Sequence, residues 1–156
     1  MSELAPPLFG AAQAEKTTDD YYTPAWLFET MGIEFDLDVA SPPGGIPWIP
    51  AARYYAMEDD GLSSPWTGRV WMNPPFSKPG PWVKRFLEHG HGIALLPTSK
   101  AAWYDAVWSS EAAMTAMKYN FEFAREDALA GISYRTMLVA FGDECVEAIG
   151  KIGRVR

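Results

Sequence analysis

The sequence predicts an α/β protein: a mostly parallel sheet with helices on its faces and an antiparallel hairpin near the C-terminus. Three observations carry this. Strand-like segments at 33–40, 69–72, 93–96 and 136–141 alternate with helix-like segments at 25–31, 78–89, 100–110 and 143–149. The run Ile93-Ala94-Leu95-Leu96 is wholly apolar, as a strand covered on both faces requires. Glycine and proline punctuate the boundaries between these segments.

Each element has a local reason. Residues 1–18 read as a loose arm, because their apolar residues lack a period and Pro6, Pro7 and Gly10 interrupt them. Thr23 is a natural N-cap and Pro24 suits the first helical position, so a short helix runs to Met31 and stops at Gly32. Ile33, Phe35, Leu37 and Val39 then alternate with Glu34, Asp36 and Asp38, the period of a half-buried strand. Four prolines (Pro42, Pro43, Pro47, Pro50) and Gly44-Gly45 make 41–50 a loop. Residues 51–57 read as a helical turn or a further loop. Asp59-Asp60-Gly61 and Ser63-Ser64-Pro65 signal turns before the short strand 69–72. The helix 78–89 turns Trp82, Phe86 and Leu87 inward and is closed by Gly90. The helix 100–110 places Trp103, Ala106 and Val107 on one face. Residues 117–123 alternate weakly and are expected to pair with 136–141 across a loop at 125–131. A closing helix precedes a mobile basic tail, 151–156, carrying Lys151, Arg154 and Arg156.

The chain of 156 residues suits one domain, spanning 19–150 between arm and tail. Hydrophobic residues make up 48% and charged residues 21%, which supports a packed core. No apolar run approaches the roughly 20 residues of a membrane helix. No basic residue precedes the apolar N-terminal stretch, as a secretion signal would require. The one cysteine, Cys145, excludes an internal disulfide framework and a thiolate zinc site. His89 and His91 lack a third ligand nearby, so no metal is expected. These features point to the cytoplasm. Thirteen basic against twenty acidic residues give a net charge of −7, which argues against a surface that clamps nucleic acid all round. Basic residues do gather locally, at Lys78, Lys84 and Arg85. Aromatic residues reach 14%; they build cores and also stack on flat ligands.

The most specific segment is Trp71-Met72-Asn73-Pro74-Pro75-Phe76-Ser77, between a strand and a helix. Ligands of open α/β sheets bind at the carboxyl ends of strands. Two prolines after the asparagine stiffen the backbone, since proline fixes φ and restricts its predecessor. Such a turn can aim the Asn73 side-chain oxygen and the Pro74 carbonyl at one point. Two acceptors suit an exocyclic amino group, and Phe76 offers a face for its ring. An ordinary strand-exit turn is the plain alternative.

Asn73-Pro74-Pro75-Phe76 resembles the catalytic motif of amino-methyltransferases. The wider pattern resembles the phage-type DNA N6-adenine methyltransferases, the small Dam-like family. It comprises Asp20, Tyr22-Thr23-Pro24, Phe35-Asp36-Leu37-Asp38-Val39-Ala40, Asp60-Gly61-Leu62, Trp66, Gly68, the motif itself and Leu95-Leu96-Pro97. The resemblance implies a Rossmann-like S-adenosylmethionine-dependent methyltransferase sheet acting on adenine N6 in DNA, in a bacterial or phage-infected cell. Asn73, Pro74, Pro75 and Phe76 would be catalytic. The cofactor would meet Tyr22, Thr23 and Pro24 on one side and Asp36, Asp38 and Ala40 on the other, with Asp38 the first choice of acid. Simple helix capping by Thr23 and solvated strand acids are the plain alternatives. The usual glycine-rich cofactor loop is not evident. A separate recognition domain does not fit in this length, so low sequence selectivity is expected. Target reading would come from short loops, from the aromatic-rich segment 47–55, or from a second subunit in a homo-oligomer, with Trp48, Trp66 and Trp103 lining a pocket beside the motif and Ser77 and Lys78 directly after Phe76. The four-residue motif also serves cytosine N4, RNA and protein amides, and a catalytically silent nucleic-acid-binding module remains a different class.

Overall fold

The computed structural model describes residues 23–116, 121–124 and 129–156. The expected arm at 1–18 and Tyr22 lie outside the described residues. The elements run α1 (Ala25–Met31), β1 (Phe35–Asp38), β2 (Ala51–Tyr54), a 3-10 turn (Met57–Asp59), β3 (Val70–Met72), α2 (Gly80–His89), β4 (Gly92–Pro97), α3 (Ala102–Ser109), β5 (Ala113–Ala116), β6 (Phe121–Ala124), β7 (Leu129–Tyr134), β8 (Thr136–Phe141) and α4 (Asp143–Gly150).

Six strands form one sheet in the order β2-β1-β3-β4-β8-β5. The first four are mutually parallel, and β8 runs antiparallel to both β4 and β5. This is the mixed α/β sheet expected. The hairpin is placed differently: β8 inserts between β4 and β5, whereas β6 pairs with β7 in a separate two-stranded ribbon. The apolar run of β8 explains the change. Thr136, Met137, Leu138, Val139 and Ala140 are all buried, which an edge hairpin could not provide but a place inside the sheet can.

Helices cover both faces. Leu27, Phe28 and Met31 of α1 and Cys145, Ala148 and Ile149 of α4 pack with Trp71, Ile93, Leu95 and Leu138. Val83 and Phe86 of α2 and Val107 of α3 pack with Val70, Met72, Ala94, Leu96 and Val139 on the opposite face. Successive residues of β4 therefore enter different cores, which accounts for its unbroken apolar sequence. Phe86 turns inward as expected, but Ala106 is exposed and Trp103 only half-buried.

Several boundaries differ from expectation for identifiable reasons. Residues 51–54 form an edge strand rather than a turn, and its largely exposed side chains leave no apolar period to read. The α1 N-cap is Pro24, not Thr23, and α1 ends at Gly32 in the left-handed conformation with its N–H bonded to Phe28 O. Pro79-Gly80-Pro81 delays α2 to Gly80. The basic tail is docked, not mobile: Arg156 exchanges both backbone hydrogen bonds with Met114 (2.7 and 2.9 Å), extending the β5 edge.

Candidate active site

The chain leaves β1 toward β2 on one side and returns past it to β3 on the other. Between two strands whose connections depart in opposite directions, the carboxyl ends splay apart and leave a crevice. A cleft of about 370 Å³ lies there, within the size range of small-molecule sites. Its walls include Asp38 and Ala40 from the β1 exit, Pro42, Pro43, Ile46 and Ile49 from the proline-rich loop, and Tyr55, Met57 and Gly61 beyond β2. Trp71, Asn73 and Pro75 close it from β3, with Trp82 of α2.

Asp38 is 3% exposed. Its Oδ1 accepts the Ala40 N–H at 3.2 Å. Burial pushes the carboxyl up to about 7, with the Ala40 hydrogen bond pulling weakly the other way. A buried carboxyl with lone pairs to spare is suited to a cationic or hydroxylated ligand. The solvated-strand alternative therefore does not apply to Asp38.

It does describe Asp36 better. That carboxylate is exposed and accepts the Arg69 N–H at 2.8 Å, outside the cleft walls. It crosses directly over Gly68, whose φ is +71° and where any Cβ would lie 2.2 Å from Asp36 Oδ2. Gly61 is equally constrained, since a Cβ there would meet Val39 O at 2.2 Å. The glycines of the sequence pattern thus permit two close approaches that shape the β1–β3 junction.

Asn73 is half-buried at the cleft, and its Nδ2 donates to Thr23 Oγ1 at 2.9 Å. Thr23 is fully buried, and its carbonyl accepts the Trp48 Nε1–H at 2.6 Å. The stiff turn is therefore neither sealed in the core nor detached from a cavity: Asn73 and Pro75 both border one.

The sequence profile of the DNA N-6-adenine-methyltransferase (Dam) family matches residues 10–121. The chain belongs to this family. It is also 30% identical over 98 residues to a DNA N-6-adenine-methyltransferase of Haemophilus phage HP1, covering 56% of this chain and 55% of that protein. The match thus spans about half the length of the curated relative. No solved structure matches significantly.

Of the residues singled out in the Dam-like pattern, the structure brings Asp38, Ala40, Asn73 and Pro75 together around one cleft, with Thr23 bonded to Asn73. Pro74 is buried behind them. Phe76 is half-buried against the α1–α4 core, next to the cleft rather than on its wall. Pro24 caps α1, also off the wall. Trp48 is 39% exposed and touches the site through Thr23. Trp66 is a core residue: its Nε1–H donates to Gly61 O at 2.7 Å and the Arg85 guanidinium sits 4.8 Å above its ring. Its bonds hold the 61–66 turn rather than a base. Ser77 and Lys78 are exposed just beyond the motif.

Tyr55, Met57 and Trp82 were not recognised as cleft residues in the sequence. Only Tyr55, at the end of the aromatic stretch 47–55, carried a signal. Lys100 and Arg135 are two further basic residues the sequence reading did not single out. Both are exposed, and Arg135 O accepts the Thr98 N–H at 3.0 Å just past the end of β4. Elsewhere the imidazole of His89 lies 2.7 Å from Gly68 O, and the Cys145 thiol is buried and pushed up by desolvation, far from a nucleophile's state. Among the described residues no group of three metal-ligating side chains occurs, and no helix is long and apolar enough to cross a membrane.

Proposed function

We propose that the protein is a DNA adenine N6-methyltransferase using S-adenosylmethionine, built on a Rossmann-like sheet and acting in the cytoplasm of a bacterial or phage-infected cell. The observation that carries this reading is the convergence of Asn73 and Asp38 on one cleft at the β1–β3 crevice. The residues fit the cofactor chemically. Asp38 can accept from its ammonium or ribose hydroxyls, while Ile46, Ile49 and Pro43 offer apolar surface to its adenine. When bound, the sulfonium supplies a methyl group already activated for transfer.

The protein's own part is positioning. Asn73 Oδ1 and the Pro74 carbonyl would accept hydrogen bonds from the two N–H groups of the adenine amino group, holding its nitrogen with the lone pair free for attack. Phe76, braced by the α1–α4 core behind it, stacks on the base. The target must leave the duplex to reach this depth. Exposed Lys78, Lys100 and Arg135 would meet the DNA backbone, and low sequence selectivity is expected.

The test is methyl incorporation into unmethylated DNA by the purified protein, followed by mass spectrometry of the nucleosides. N6-methyladenine is expected. N4-methylcytosine, or product found only with RNA or protein, would overturn the acceptor assigned here. Asn73→Ala should lower kcat at least about a hundredfold without unfolding the protein; undiminished turnover would remove Asn73 from the mechanism.

A further inference from the structure

We infer that Thr23 is a positioning residue that sets the orientation of the Asn73 amide, rather than a ligand of the cofactor. The inference rests on the reading above for its catalytic meaning, but its geometry stands alone. A primary amide has two ends of opposite character, and only the oxygen end can accept from an amino group. Asn73 Nδ2 is taken up by Thr23 Oγ1 at 2.9 Å, which turns Oδ1 the other way. The reverse orientation would present N–H donors to an amino group that is itself a donor.

Thr23 is equipped for this role. It is fully buried, so water does not compete for its hydroxyl. It caps no helix: Pro24 holds that position and α1 has no side-chain cap, so the hydroxyl is not committed there. Its backbone is fixed from the far side by Trp48, whose indole N–H reaches the Thr23 carbonyl at 2.6 Å. Thr23 is also absent from the cleft wall, whereas Asn73 is on it. The hydroxyl thus reaches the reaction through Asn73.

Thr23→Val removes the acceptor while keeping the side-chain shape, and Thr23→Ser restores it. The Thr23→Val variant should lose kcat about ten- to a hundredfold with the cofactor Kd and KM changed less than about twofold. The Thr23→Ser variant should recover most of the loss. Calorimetry with S-adenosylhomocysteine verifies that the cleft of each variant is intact. Independently of turnover, the Asn73 side-chain amide protons should exchange slowly in the wild type and in Thr23→Ser, and rapidly in Thr23→Val, by NMR. A raised cofactor Kd with unchanged kcat would overturn the inference and return Thr23 to the cofactor. Unchanged amide exchange in Thr23→Val would overturn it too. A wild-type protein that transfers no methyl group would instead refute the proposed function, and the exchange measurement would still decide the Thr23–Asn73 lock.

Discussion

Asp38→Asn should make the ligand-free protein more stable and the cofactor complex weaker. Asp38 is raised from 3.8 to about 7 in the fold because its carboxylate is desolvated. The native state therefore keeps this proton at pH values where the unfolded chain has released it, and stability falls as pH climbs from 3.8 to 7 and is flat above. A shift of that size corresponds to about 4 kcal/mol lost at pH 8, and about 2 kcal/mol at pH 5.5. Asparagine is neutral throughout and its oxygen can still accept the Ala40 N–H. The variant should gain roughly those amounts, read by urea unfolding at the two pH values. Cofactor affinity should drop in the same variant, and more at pH 8 than at pH 5.5, because a cationic ligand favours the ionised carboxyl. An equal gain at both pH values, or a loss at pH 8, would refute the argument that an uncompensated buried charge resides here.

Two further perturbations test other parts of the molecule. Gly68→Ala places a Cβ on the Asp36 carboxylate at a φ of +71°, and should cost about 1–3 kcal/mol in denaturant unfolding. In an Asp36→Ala background the same Gly68→Ala change should cost less than in the wild type, because the carboxylate clash is gone while the backbone strain remains. Lys78→Ala should reduce the slope of log affinity for DNA against log salt by about 1, with cofactor binding unchanged; the same slope as wild type would take Lys78 off the phosphate path.

The site was more legible in the sequence than the strand order. Asn73-Pro74-Pro75 is conspicuous because so stiff a turn has few purposes, and the acids of β1 are conspicuous because they precede a loop. Their convergence, however, depends on β1 and β3 being neighbours, which no local pattern encodes. The helix stops at Gly32 and Gly90 were readable because left-handed caps favour glycine. β2 was unreadable because an exposed edge strand has no buried face to give it a period. Trp66 misled for the opposite reason: an aromatic near a motif suggests a ligand, yet its indole N–H and the Arg85 guanidinium serve a turn. The Thr23–Asn73 hydrogen bond was not readable, because the two residues lie 50 positions apart in the chain.

At the sheet end remote from the cleft, Asp36 accepts the Arg69 backbone N–H, while the Arg69 guanidinium reaches Glu34 O and the Glu144 carboxylate. These bonds fasten the starts of β1, β3 and α4 to one another. The molecule thus has a riveted base and a working crown. Replacements in the base should move the melting temperature and leave the methylated site alone. Exchanging loops of the crown should leave the melting temperature near that of the wild type.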